Sequence, residues 1–257
     1  MGKLIAAERH KEIIRLLNSN GSVKISQLAK QFQVSRETIR RDLLHLNEIG
    51  AVKKSHGGAT SVYELQPLPW ESRVREKLPL KEKLCERAME FIGDGNVIFL
   101  DSGSTIFCLA GMLSKKSGYT IVTTSLEAAY ALVHSSNKVI LTGGMLNPNS
   151  MAAEGFQATS LINSLKVDIA FLGTNGFEQH KGPAVSDFQD AQTKQAIIPN
   201  ARTNVVIADS SKAQASSLIQ YTSWHDIDHL IIDNDIPGDV LSNIQEMTDV
   251  VLVSRLL

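Results

Sequence analysis

The sequence predicts an α/β protein in two parts, a small helical module followed by a larger domain built on a mainly parallel sheet. Three observations carry this. The first fifty residues hold three short amphipathic patterns of helical period. Behind residue 95, seven Val/Ile-rich runs follow one another, most of them separated by helical patterns. The charge also divides: residues 1–60 carry eleven Lys/Arg against five Asp/Glu and residues 61–257 fifteen against twenty-two, although the whole chain has a net charge of only -1. A basic module joined to an acidic globule points to a polyanion partner for the first part. The expected boundaries are 1–62 for the module, 63–79 for a linker and 80–257 for the larger domain.

In the module, Ile13, Ile14, Leu16 and Leu17 recur at helical spacing until Asn20-Gly21 stops the pattern. After a short VKI run, Ser26 is placed to cap QLAKQF, whose Leu28, Ala29 and Phe32 face inward, and Gln33-Val34 turns the chain. The third pattern is SRETIRRDLLHLNEIG, with Ser35 as N-cap, Ile39, Leu43 and Leu46 inward, and Gly50 as the stop. Two helices joined by so tight a turn make a helix-turn-helix. With Ile39 and Leu43 buried, Arg36, Glu37, Thr38, Arg40 and Arg41 project from the first turns, the part of a recognition helix that enters a DNA major groove. Arginine can grip a guanine edge or a phosphate there, although Glu37 and Arg41, four apart, could equally pair with each other. AVKKSHGGATS then reads as strand, glycine turn and strand, with Lys53, Lys54, His56 and Gly57 at or near its tip. That is a basic wing suited to phosphate contacts.

The segment from Arg9 to Ala59 resembles the amino-terminal domain of the DeoR family of bacterial transcriptional regulators, and VSRETIRRDL followed by HGGA is a specific signature of it. The resemblance implies a winged helix-turn-helix that binds double-stranded operator DNA.

From Leu80, LKEKLCERAMEFIGDG is an amphipathic helix with Leu84, Ala88 and Phe91 to one side. The strand runs are NVIFL, YTIVTT, KVILT, VDIAFLG, NVVIA, HLIID and VVLVS, short and apolar as strands buried on both faces tend to be. Five of them end in small, hydroxylated or charged residues: DSGST, TTS, TGG, GTNG and DSSK. One such loop is ordinary turn chemistry. Five on one rim favour a ligand site, since a parallel sheet gathers the carboxyl ends of its strands. Glycines let backbone N–H groups approach an anion, a helix starting near Ser104 or Thr105 offers its positive end, and Lys194 or Lys212 could neutralise the remaining charge. There is no GxxxxGK[ST] and no GxGxxG, which argues against a nucleotide. Met145, Met151 and Phe156 are expected in the core or the pocket wall.

These segments too resemble the family, in its effector domain, which is related in fold to ribose-phosphate isomerases and CoA transferases and binds a phosphorylated sugar or similar metabolite. Carried over residue by residue, the resemblance implies a main loop of Asp101, Ser102, Gly103, Ser104 and Thr105. Around it would stand Thr123, Thr124, Gly143, Gly144, Gly155, Gly173, Asn175, Gly176, Lys194, Asp209 and Lys212. Thr124 replaces a common asparagine, and Ala213-Gln214 replaces the usual Phe-Gly after DSSK, departures that bear on which ligand fits.

The alternative reading is a sugar-phosphate isomerase-like enzyme with a DNA-binding appendage. Such an enzyme needs a placed general base. Acids near the rim are Asp101, Glu154, Asp187, Asp190 and Asp209, but Asn175 stands where isomerases of this fold carry acids, so no catalytic residue is expected. Cys85 and Cys108 lie far apart without a C-x-x-C or a histidine cluster, which signals neither a disulfide framework nor a metal site, and no cofactor is expected. No stretch reaches the roughly 18 apolar residues of a membrane span. The expectation is a cytoplasmic repressor of a carbohydrate-metabolism operon, working as a homodimer or homotetramer without a membrane partner.

Overall fold

The computed structural model describes residues 5–20, 22–49, 51–55, 57–61 and 70–254. The chain forms two compact units that divide between Pro69 and Trp70.

The first unit runs α1 (Ala6–Asn20), β1 (Ser22–Lys24), α2 (Ile25–Phe32), α3 (Arg36–Glu48), β2 (Val52–Ser55) and β3 (Gly58–Ser61). Its core is the set of inward residues read from the helical spacing, with Ile13, Leu17, Leu28, Phe32, Ile39, Leu43 and Leu46 all buried. The wing is larger than the expected hairpin. β1 joins it, giving an antiparallel sheet of order β1-β3-β2. Gly58 makes this possible, because a Cβ there would stand 2.0 Å from the carbonyl oxygen of Val23. The start of α2 also differs from expectation. Helix begins at Ile25, before Ser26, and the first turn has no side-chain cap. Instead the Ile25 N–H donates to the carbonyl of Gly57 at 2.9 Å, so the wing satisfies one helix-end donor. Gln33, in the left-handed region at φ 54°, ends α2 and sets the tight turn.

The second unit opens with α4 (Trp70–Arg75) and α5 (Leu78–Met89). Residues 70–79 were expected in the linker, and this is a correction. Pro79 lies in the first turn of α5, where its missing N–H costs no helical bond, so the proline marks a helix start. Residues 63–69 of that expected linker, Gly21, Gly50 and His56 lie outside the described residues.

There follow β4 (Val97–Leu100), α6 (Ser104–Leu113), β5 (Thr120–Thr123), α7 (Leu126–Leu132), β6 (Lys138–Leu141), β7 (Met145–Asn147), β8 (Ala152–Glu154), α8 (Phe156–Asn163), β9 (Val167–Leu172), β10 (Ala184–Val185) and α9 (Phe188–Ile197). The chain then completes β11 (Ala201–Ile207), β12 (Ile219–Gln220), β13 (His229–Asp233), α10 (Gly238–Gln245) and β14 (Asp249–Val253). The seven strands read from the sequence form one sheet, of order β14-β13-β11-β9-β4-β5-β6, and its neighbours pair in parallel. Alternate residues feed opposite faces. Ile98 and Leu100 join Leu84, Ile106 and Leu132 of α5, α6 and α7. Phe99 joins Ile162, Ala191 and Ile244 of α8, α9 and α10. The β7–β8 hairpin and the β10–β12 pair, of two or three residues a strand, had no run long enough to show a period.

Candidate functional site

In the first unit the candidate site is the outer face of α3. Ser35 is extended, and its hydroxyl accepts the Thr38 N–H at 3.0 Å and meets the Thr38 hydroxyl at 2.8 Å. The buried stripe of Ile39, Leu43 and Leu46 turns Arg36, Glu37, Arg40 and Arg41 to solvent. Glu37 pairs with Arg40 at 3.4 Å and with Arg41 at 3.8 Å. Exposed pairs of this kind hold by less than about 1 kcal/mol, so a polyanion can displace them. The wing is fixed to the helix by the Lys54 N–H, which donates to Asn47 Oδ1 at 2.9 Å. Gly57 turns it at φ 86°, and Lys53 lies in β2 opposite Thr60. From inside, Asp42 anchors α3 to α1. Arg9 grips its two carboxylate oxygens at 2.6 and 2.9 Å, and His10 Nε2 stands 2.9 Å from Oδ1. Burial would raise the Asp42 pKa, but these partners hold it below the ordinary carboxylate value.

In the second unit the polar loops follow β11, β9, β4, β5 and β6, which are consecutive in the sheet. From β4 the chain steps to β5 and β6 on one side, and β9, β11, β13 and β14 build the other. The switch point therefore lies between β4 and β9, where a doubly wound sheet opens its crevice. Asp101 and Gly173 meet there: Asp101 Oδ2 accepts the Gly173 N–H at 2.8 Å. The same oxygen pairs with Lys194 Nζ at 2.5 Å, and Asp190 Oδ1 holds that ammonium at 2.6 Å. Burial disfavours the Lys194 charge, but the two carboxylates outweigh it and raise its pKa. Tyr221, which no sequence pattern singles out, donates its hydroxyl to the Gly173 carbonyl at 3.0 Å, and its ring centroid lies 5.7 Å from Lys194 Nζ.

The main loop opens α6. Gly103 is the residue before the helix, at φ 120°, and no side chain caps that end. The first-turn N–H groups of Ser104 and its neighbours therefore face the rim with their partial positive charge. Lys81 stands beside them: its Nζ donates to Ser104 Oγ at 3.0 Å and to the carbonyl of Arg73. Lys81 is only 6% exposed. Among the described residues its ammonium pairs with no carboxylate, and burial lowers its pKa. On the loop after β11, Asp209 binds Lys77 and Ser211. Burial opposes its charge, but Lys212 and Lys77 prevail and hold the Asp209 pKa down to about 2.

Other residues named from the sequence are tied into the scaffold. Thr123 Oγ1 donates to the Leu100 carbonyl at 2.7 Å and accepts the Ser125 N–H, and Thr124 is buried, its carbonyl accepting from Ala153. Asn175 Oδ1 accepts the Ser186 N–H at 3.2 Å. Gly143 and Gly155 have positive φ, at 72° and 94°. Gly144 and Gly176 are close-approach glycines: a Cβ would stand 2.4 Å from the Glu154 carbonyl oxygen and 2.1 Å from that of Ala215. Met145 and Phe156, expected inside, are exposed, at the outer edge of the β7–β8 hairpin and the first turn of α8. The sequence reading missed Lys77, Lys81 and Arg73 because they lie before the strand ends. A signal for Lys81 existed: it is in helical register with Leu84, Cys85 and Ala88, a cation on an apolar stripe.

Among the described residues no group of His, Cys, Asp and Glu is arranged to hold a metal, and no helix is long and apolar enough to cross a membrane.

Residues 9–64 match the family described as "DeoR-like helix-turn-helix domain" and residues 76–234 the "DeoR C terminal sensor domain". The chain is 32% identical over 243 residues to the "HTH-type transcriptional regulator GolR" of Listeria innocua, covering 93% of this chain and 95% of that one. It is 31% identical over 243 residues to the "Glycerol-3-phosphate regulon repressor" of Escherichia coli, at 94% and 95% coverage. The "HTH-type transcriptional regulator GlpR" of Haloferax volcanii is 30% identical at the same coverage. Among solved structures, a ribose 5-phosphate isomerase A from Methanocaldococcus jannaschii aligns over 53% of this chain and 55% of its own, with 22% identity and a TM-score of 0.40, too slight a likeness to bear on function. With both of its units matched and relatives aligned over nearly its whole length, the chain belongs to the DeoR family of DNA-binding transcriptional regulators, not to the enzymes.

Proposed function

We propose that the protein represses a carbohydrate-metabolism operon, and that a phosphorylated sugar or polyol, bound at the rim around Asp101–Thr105, controls its grip on double-stranded operator DNA. The observation that carries the effector half is Lys81. Among the described residues Lys81 bonds only neutral oxygens, which is costly for a buried ammonium unless an anion completes it, and it stands at the uncapped start of α6. Asp101 supplies the other end of the ligand. Its Oδ1 is buried and, among the described residues, has no hydrogen-bond partner, an acceptor suited to a sugar hydroxyl. Lys194 is already neutralised by two carboxylates, which favours Lys81 with the loop amides for the anion and Lys194 for positioning Asp101.

For the DNA half, Arg36, Glu37, Thr38, Arg40 and Arg41, set by Ser35, would enter the major groove, with Lys53, Lys54, His56 and Gly57 of the wing on phosphates. One such module makes few contacts, so two or four copies would act together on repeated half-sites. Catalysis is the weaker reading. Asp101 and Asp190 are committed to Lys194, Asp209 is held ionised by Lys77 and Lys212, and Asn175 fixes a loop.

The test is a panel of phosphorylated sugars and polyols, glycerol 3-phosphate first because an E. coli relative is named for its regulon. A true effector raises the melting temperature, by about 2.7 kcal/mol of stabilisation at a hundred times its Kd, and releases operator DNA. Turnover of any panel member would favour the enzyme.

A further inference from the structure

Three elements of the second unit converge on one ammonium. The stem of Lys81 rises from α5, and its Nζ holds both the Ser104 hydroxyl at the start of α6 and the Arg73 carbonyl in α4. α4 is six residues long, too short to be stable unless neighbours hold it. Other ties run from α4 to its surroundings. Trp70 sets its ring edge-on to Phe107 of α6, centroids 5.6 Å apart, and Arg73 Nη2 donates to the Asn149 carbonyl at 2.8 Å. Lys77, in the left-handed region at φ 52° between α4 and α5, is pinned to Asp209 and Ser211 of a rim loop. α4 is also the first element after residues 62–69, the segment that leads from the winged unit.

We infer that Lys81 couples the rim to DNA binding: with the rim empty it clamps α4 to α6, and when an anion arrives its ammonium leaves the Arg73 carbonyl for the ligand and loosens α4. This rests on the reading of the rim as the effector site. The exchange is favourable because a hydrogen bond from a cation to an anion is roughly twice as strong as one to a neutral carbonyl. Lys81 is buried in helical register with Leu84 and Cys85, so the exchange asks only its ammonium tip to move. A looser α4 alters the tether of the DNA-binding unit. By linkage, bound operator weakens the effector by the same factor that the effector weakens operator.

The chain carries its own reporter. Of its two tryptophans, Trp70 lies in α4 and Trp224 is buried in the core cluster on the Phe99 face of the sheet. The full-length protein is titrated with inorganic phosphate and with glycerol 3-phosphate. Calorimetry reads binding, tryptophan emission reads α4, and Trp70→Phe identifies the signal from Trp70. The expected result is a Trp70 change that saturates with the calorimetric curve. In Lys81→Met binding weakens about ten-fold or more, the loss of one charge-assisted bond, and saturation with ligand no longer moves the emission. Amide exchange of the unmodified protein gives a second reading that needs no variant: the Glu76 N–H, bonded to the Ser72 carbonyl at 3.0 Å, exchanges faster when ligand is bound. Binding with unchanged Trp70 emission and unchanged α4 exchange would overturn the coupling and leave the effector site standing, as would a full emission response in Lys81→Met. No heat from either ligand, and no change in exchange of residues 101–105, would overturn the effector site and the coupling together.

Discussion

Lys194 and Asp101 form a buried ion pair at 2.5 Å that ties α9 to the carboxyl end of β4, at the point where the sheet reverses its order. Asp190 completes the arrangement from the same helix, four residues before Lys194. Removing the ammonium leaves two carboxylates facing each other out of water. Lys194→Met therefore destabilises the second unit by about 3–5 kcal/mol, the usual cost of breaking a buried pair, seen as a lower denaturation midpoint. Lys194→Met with Asp101→Asn recovers part of that loss, because the remaining pocket holds one charge fewer.

Asp209 gives a pH signature. Its folded pKa of about 2 lies below the ordinary carboxylate value near 4. The stability it contributes is present above about pH 4 and is lost as pH falls toward 2. It amounts to about 2 kcal/mol. Asp209→Asn lacks this contribution at neutral pH, so the gap between wild type and variant closes on acidification. Asp42, also held low, titrates in both proteins and cancels in the difference. Denaturation at a series of pH values measures it, and a gap that stays constant from pH 7 to 2 would show that Lys77 and Lys212 do not hold the carboxylate.

In the first unit, Asp42→Ala removes the carboxylate that Arg9 and His10 of α1 share on α3. The expected cost is about 1.5–3 kcal/mol, that of losing hydrogen bonds to a charged group. Operator binding is expected to fall with it, because α3, the proposed recognition helix, loses its inner anchor while its outer residues stay unchanged. Circular dichroism during urea denaturation should show the first unit melting early. If Asp42→Ala bound operator and unfolded as wild type does, the anchor would be dispensable.

The outer face is tested by Arg40→Ala with Arg41→Ala. Each arginine on a base edge contributes about 1–3 kcal/mol, and each on a phosphate lowers the slope of log K against log salt by about 1 when removed. Both exposed pairs with Glu37 are weak, so stability should change by less than about 1 kcal/mol.

Much of this was legible in the sequence because it repeats a period. Ile39, Leu43 and Leu46 dictate which face of α3 is outside, and seven Val/Ile runs dictate the sheet. Strand ends show the rim, since a parallel sheet brings DSGST and FLGTNG together whatever the intervening turns do. The sequence reading failed where contact is long-range or the element short. Nothing local shows that Gly58 admits a third wing strand, that Pro79 begins a helix, or that Lys194 is spent on Asp101 and Asp190. Lys81 escaped for a further reason: its partner Ser104 is twenty-three residues away, and a lysine in a helix reads as surface until its neighbours on the stripe are seen to be buried.

The most direct single measurement is operator affinity of the full-length protein, at fixed salt, with and without saturating phosphorylated effector, for wild type and for Lys81→Met. A fall in affinity of about 5–150-fold in wild type, the usual range of allosteric coupling, and none in Lys81→Met is the predicted result. Operator affinity that no phosphorylated sugar or polyol alters, or an equal response in Lys81→Met, would contradict it.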